Sequence, residues 1–185
     1  MDCTQLSDLE LLKVVIGSRG AEKLYRGKLA PLFGVGERPH KKLAASHELV
    51  RRWLREEIEG RKVFRDPAAV RQYLTALYAG LEQESFSALF LDNQHRLIAA
   101  EELSRGTIDG ASVYPREVVK RVIRLNAAAV IFAHNHPSGV AEPSAADRAL
   151  TERLKSALAV IDVRVLDHLV VGGAAVTSFA ERGWI

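Results

Sequence analysis

The run Ala127-Ala-Ala-Val-Ile-Phe-Ala133, followed at once by His134-Asn135-His136-Pro137-Ser138-Gly139, decides the architecture. Seven apolar residues with no polar interruption predict a strand covered on both faces, as in the sheets of α/β proteins. Pro137, Gly139 and Pro143 make the next segment a loop. Ser144 then reads as the N-cap of a helix that begins Ala145-Ala146-Asp147. Strand, loop and helix start are therefore consecutive, and the polar residues gather where the strand ends.

Those polar residues follow the pattern H-x-H-x7-S-x2-D, from His134 and His136 through Ser144 to Asp147. Residues two apart on an extended segment point the same way, so both imidazoles can reach one ion. Imidazole nitrogen and carboxylate oxygen suit a borderline divalent cation such as zinc. Three protein ligands leave a fourth position for water, the arrangement of catalytic rather than structural zinc. The expectation is a metal-activated water and hydrolysis. Each residue also has a plainer role: Ser144 and Asp147 form a capping box, and Pro137, Ser138 and Gly139 a turn. Ser138 lacks the G-x-S-x-G surroundings of a nucleophile.

Further out, Asp66 caps a helix through Leu81, with Pro67 at its first position. Ser85–Leu91 and Arg96–Ala100 read as a hairpin closed by Asp92-Asn93-Gln94-His95, and Glu101 to Gly110 as extended chain and loop. Pro115–Asn126 and Ala145–Val160 are helices, and Asp162–Val171 and Val176–Phe179 are strands parted by Gly172-Gly173. Upstream, Leu6–Ile16, a short run near Ala21–Leu32 and His40–Ile58 read as helices, with the tight turn Phe33-Gly34-Val35-Gly36 between the last two. The division expected is a helical region over 1–62 and an α/β domain over 63–185.

Composition is that of a globular chain, 48% hydrophobic and 26% charged, and excludes disordered and fibrous classes. No apolar run reaches eighteen residues, so no membrane span is expected. A single cysteine, Cys3, and an N-terminus without a basic-then-apolar leader predict a cytoplasmic protein with no internal disulfide. Residues 1–62 hold 13 basic and 9 acidic side chains, and the remainder 13 and 14. That asymmetry is compatible with an acidic partner such as DNA. Gly34 and Gly36, followed by Arg38, Lys41 and Lys42, suit backbone approach to a phosphate, so residues 34–62 are the candidate DNA contact.

At the metal motif the chain resembles the JAB/MPN family, and more closely the bacterial RadC proteins. The matching blocks are Glu84-x-Phe86 through Leu91-Asp92, Glu101-Glu102-Leu103 with Gly106-Thr107, and Tyr114-Pro115-Arg116-Glu117-Val118. His134-Asn-His-Pro-Ser-Gly139, Pro143-Ser144-x-x-Asp147 and Val165-Leu166-Asp167-His168 complete the series. The resemblance implies an α/β fold, a mixed three-layer, cytidine-deaminase-like JAB/MPN domain, preceded by a shortened helix-hairpin-helix-like region. It implies zinc on His134, His136 and Asp147, and metallopeptidase or isopeptidase chemistry on a protein or peptide substrate. It also carries an association with DNA repair. The alternatives are a DNA-binding repair protein with a non-catalytic metal domain, and a nuclease using the same zinc.

Hydrolysis also needs a group that takes a proton from water and returns it to the leaving amine. In the JAB/MPN family a Glu opening a strand well before the histidines does this. Glu84, Glu101 and Glu102 are the candidates, and Glu84, ahead of Phe86–Leu91, fits best. Ser144 would donate to the oxyanion. Asp167-His168 reads either as a structural pair, as an outer partner of a ligand histidine, or, through His168, as a fourth ligand. A homodimer is left open.

Overall fold

The computed structural model describes residues 6–27, 40–58, 67–106 and 113–185. The turn at Gly34-Val35-Gly36, the Asp66 cap and Thr107 lie outside the described residues. The contacts divide the chain into two compact units, 1–53 and 54–185.

In the first unit, α1 (Asp8–Ile16) starts at a capping box. The Ser7 main-chain N–H donates to Glu10 Oε2 at 2.8 Å, while the Glu10 N–H donates back to Ser7 Oγ. Gly17, at φ +83°, stops it, and α2 (Ser18–Leu24) follows. Leu12, Ala21 and Leu43 make a small core. The last of these belongs to α3 (Lys41–Ile58), whose length matches the sequence expectation. The second helix begins at Ser18, ahead of the expected Ala21, and ends at Leu24, where Tyr25 turns extended; residues 28–32 of the expected run lie outside the described residues.

The second unit is a five-stranded mixed sheet in the order β2-β1-β3-β4-β5. The strands are β1 (Ser85–Leu91), β2 (Leu97–Arg105), β3 (Ala129–Asn135), β4 (Arg164–Gly172) and β5 (Ala175–Ser178). Only β3 and β4 are parallel, and α6 (Ala145–Ala159) crosses between them; the other neighbours are antiparallel. Every residue of β1 and β3 is buried, which is why these central strands read as unbroken apolar runs.

Strand alternation sorts the core into two layers. Leu89, Leu91, Ala129, Ile131, Leu169 and Val171 face α4 (Pro67–Tyr78), with Leu74 and Tyr78 packed on them. Phe86, Phe90, Val130 and Phe132 face α5 (Pro115–Leu125) and α6, meeting Val118, Val122, Leu154 and Leu158. The result is the three-layer α/β arrangement expected from sequence. His134 shares the even-numbered face of β3 with Val130 and Phe132, so it lies on the side where α6 begins. No helix among the described residues is long and apolar enough to cross a membrane.

Candidate metal centre

His134 is the sixth residue of β3 and is 3% exposed; His136 follows just past the strand end. The chain leaves the sheet there because the His136 N–H donates to the Val171 carbonyl of β4 at 2.8 Å, and Pro137 begins a turn closed by Gly139 N–H on the His136 carbonyl. The loop then runs against β4, where only glycine fits. A Cβ on Gly172 would press on the main chain of Ala141 and sit 2.5 Å from the Val140 carbonyl carbon. Gly172→Ala should therefore push the loop off the strand. We expect a loss of about 1–3 kcal/mol in urea unfolding and weaker metal binding, because Val140 holds His136, a candidate ligand, as described below.

Asp147 arrives from the first turn of α6. Ser144 caps that helix: its Oγ accepts from the Asp147 N–H at 3.1 Å, and Asp147 Oδ2 accepts from the Ser144 N–H at 2.7 Å and hydroxyl at 2.6 Å. The capping box thus aims the carboxylate as well as starting the helix. Asp147 Oδ1 lies 3.3 Å from His134 Nε2, Oδ2 lies 3.6 Å from His136 Nε2, and the two Nε2 atoms are 2.9 Å apart. Ligand atoms of all three residues lie within 4.8 Å of one another. Burial pushes the Asp147 carboxyl up, but the neighbouring His134 imidazole and the hydrogen bonds from Ser144 outweigh it and hold the group well below the usual carboxylate range. It is an anion at any physiological pH.

The donor set suits a cation. His136 Nδ1 is 2.7 Å from the Val140 carbonyl oxygen, which only accepts, so Nδ1 carries the hydrogen and Nε2 offers a lone pair. An ionised carboxylate stands beside it. Two neutral imidazole nitrogens and one carboxylate are a ligand set for zinc and related divalent metals.

The other sequence candidates are placed as follows. Glu84 immediately precedes β1 and is exposed; its carbonyl accepts from the Gly106 N–H at 2.7 Å. Strand alternation puts it on the face of Phe86, whose ring stacks on His134 at 6.0 Å between centroids. Glu101 pairs with Arg121 and, at 3.1 Å, with Arg124, both on α5. Glu102 pairs with Arg105 at 2.8 Å. Both rivals of Glu84 thus lie on the outer strand β2 and are engaged by arginines, Glu101 by two from α5 and Glu102 by one on its own strand.

Asn135, His168 and Thr151 do more than the sequence suggested. Asn135 points away from the cluster, as expected for the residue between two ligands. Its Oδ1 accepts from Ser85 N–H at 2.8 Å and its Nδ2 donates to the Gln83 carbonyl at 3.1 Å, so it grips the main chain on both sides of Glu84. His168 is not a fourth ligand on the open side. It is fully buried behind His134, with Nε2 2.8 Å from His134 Nδ1. Thr151 Oγ1 lies 2.7 Å from the other His168 nitrogen. Asp167 takes the structural role: its carboxylate accepts from the His168 N–H, the Ala180 N–H and the Ser178 hydroxyl.

Residues 64–184 match the family described as the RadC-like JAB domain. A UPF0758 protein of Chromohalobacter salexigens is 50% identical to this chain over 100% of it and 92% of its own length. A UPF0758 protein of Methylibium petroleiphilum is 58% identical over 84% of this chain and 70% of its own. One from Vibrio cholerae is 49% identical over 97% and 90%.

Proposed function

The chain belongs to the RadC-like JAB domain family, and on that premise we propose that it is a zinc-dependent hydrolase that cleaves an amide or isopeptide bond. The observation that carries the reading is the convergence of His134 Nε2, His136 Nε2 and an ionised Asp147 carboxylate at one point beyond the end of β3. Zinc bound there would supply Lewis acidity and a water that ionises near neutral pH.

The chain's own residues divide the remaining work. Glu84 takes the proton from the attacking water and returns it to the leaving amine. Its placement is supported by Asn135, which ties residues 83 and 85 to the strand that carries His134 and leads into His136. Ser144 is the donor to the developing oxyanion, a role it takes up by releasing its hydroxyl from Asp147. His134 and His136 hold their positions through His168 and the Val140 carbonyl. One metal with one base carboxylate favours carbonyl over phosphodiester substrates, since phosphodiester cleavage more often uses two metals.

The test is cleavage of a peptide and an isopeptide panel, with and without a chelator, beside a duplex DNA substrate. About one zinc per chain, by the ligand count, and chelator-sensitive cleavage of the amide substrates are expected. Metal-free, fully folded protein from zinc-supplemented medium would sink the reading, and DNA cleavage alone would replace it with the nuclease.

A further inference from the structure

Behind the ligands, four polar groups form a chain whose hydrogens can be assigned one by one. It starts at the Asp147 carbonyl, which only accepts. Thr151 Oγ1 lies 2.6 Å from that oxygen, so the single hydroxyl hydrogen is committed there. The Thr151 oxygen must then accept from His168 Nδ1, 2.7 Å away, which puts a hydrogen on Nδ1. His168 is fully buried among aromatic rings with no carboxylate on either ring nitrogen, so it carries a single ring hydrogen and its Nε2 is a lone pair. That nitrogen meets His134 Nδ1 at 2.8 Å, and the hydrogen between them therefore belongs to His134. His134 is left with a lone pair on Nε2, facing His136 and Asp147.

We propose that Thr151 and His168 are positioning residues that lock His134 in its Nδ1–H form and so present Nε2 to a metal, an inference that rests on the metal reading above. The chain has a direction because it is anchored on a main-chain carbonyl of α6, one turn before Thr151. The same residue, Asp147, supplies the third ligand through its side chain and the starting acceptor through its main chain. The helix start therefore sets both the carboxylate and, through two intermediates, the imidazole opposite it.

Among the described residues the ring nitrogens of His168 have no further partner. Phe86, Phe132 and Phe179 stand around its ring, with centroids at 5.3, 6.2 and 4.7 Å. Asp167 fixes its backbone from the other face of β4. Its two ring nitrogens face Thr151 and His134.

The direction matters because the reversed chain, besides leaving Thr151 Oγ1 and the Asp147 carbonyl 2.6 Å apart with no hydrogen between them, would block the metal position. If Thr151 gave its hydrogen to His168 Nδ1, His168 would donate to His134 Nδ1. His134 would then carry its hydrogen on Nε2, pointing at the His136 lone pair 2.9 Å away. That hydrogen would sit where the metal belongs. In the assigned direction two lone pairs and a carboxylate meet with no hydrogen among them, and a cation satisfies all three. Thr151 thus selects, without any change of charge, the arrangement that calls for a metal.

Zinc affinity of the full chain, measured by chelator competition, tests this together with the imidazole nitrogen signals of the wild-type protein by NMR. Thr151→Val keeps the shape and removes the director, and we expect zinc affinity to fall about 10–100-fold, the range for losing an outer partner of a ligand. Thr151→Ser should return it close to wild type, which a simple packing role would not require. In the wild-type protein His168 should carry its hydrogen on Nδ1. Equal zinc affinity in a folded Thr151→Val protein, or a hydrogen on His168 Nε2, would overturn the proposal. If Thr151→Val does not fold, the wild-type tautomer decides. If the wild type binds no zinc the metal reading fails, and the His168 tautomer still decides whether the chain runs as assigned.

Discussion

His136→Ala should abolish hydrolysis and weaken zinc binding by more than about 100-fold, beyond the range for losing an outer partner, while leaving the metal-free protein as stable as the wild type. His136 is the ligand to choose because it stands past the end of β3, with a side chain 15% exposed and one partner on its far side, the Val140 carbonyl. His134→Ala would be a poorer experiment. It would open a hole beside Phe86 and leave the buried His168 Nε2 without its partner, mixing a folding defect with a metal defect. The readout is thermal unfolding with and without zinc. Free zinc at 100 times its dissociation constant stabilises the bound state by about 2.7 kcal/mol. For a chain of this size that is roughly 5–10 °C in Tm. The wild type should show that shift and His136→Ala should not. Equal zinc-dependent shifts in both would show that the metal binds elsewhere.

The parts of this site that were legible in the sequence are those carried by neighbouring residues. The strand, loop and cap from Ala127 to Asp147 form one continuous segment, and each step had a local cause. The apolar run is buried on both faces, Pro137 and Gly139 turn the chain, and Ser144 starts the helix. What was not legible came from strands that meet only in the fold. His168 stands 34 residues from His134, and it reaches His134 because β3 and β4 run parallel with His168 in register with Phe132. A lone histidine in Val163–Val171 carries no such information, and Thr151 looks like any helix residue. The extent of β2 was hidden for a related reason. Glu101 and Glu102 break its apolar pattern, yet pairing with β1 as far as Ser85 holds the strand together to Arg105, and an outer strand tolerates the charges. The glycine turn that suggested DNA contact lies outside the described residues, so that partner rests on the basic balance of residues 1–62.

Glu84→Gln should lower kcat about 10²–10⁴-fold, the usual contribution of a positioned general acid–base, with zinc content unchanged. That is roughly 3–5 kcal/mol of transition-state stabilisation. The amide has the size and hydrogen-bonding reach of the carboxylate but cannot take a proton from water, so KM should move little while kcat falls. The substitution is also structurally quiet: the side chain is exposed, and the local main chain is held by groups the change does not touch. These are Gly106 N–H on the Glu84 carbonyl, and the Asn135 carboxamide on Ser85 and Gln83. Glu101→Gln and Glu102→Gln are the controls. Each loses ion pairs with arginines at the surface, a change worth at most about 1 kcal/mol of stability, and neither should alter kcat. The contrast depends on position along β1 and β2. Glu84 lies two residues before Phe86, which pairs with His134, whereas Glu101 lies opposite Ala88, whose partner on β3 is Phe132, deeper in the sheet. Glu101 is also separated from β3 by the whole of β1. If Glu101→Gln silences the enzyme and Glu84→Gln does not, the proton travels through the outer strand, and the base has been assigned to the wrong end of the hairpin.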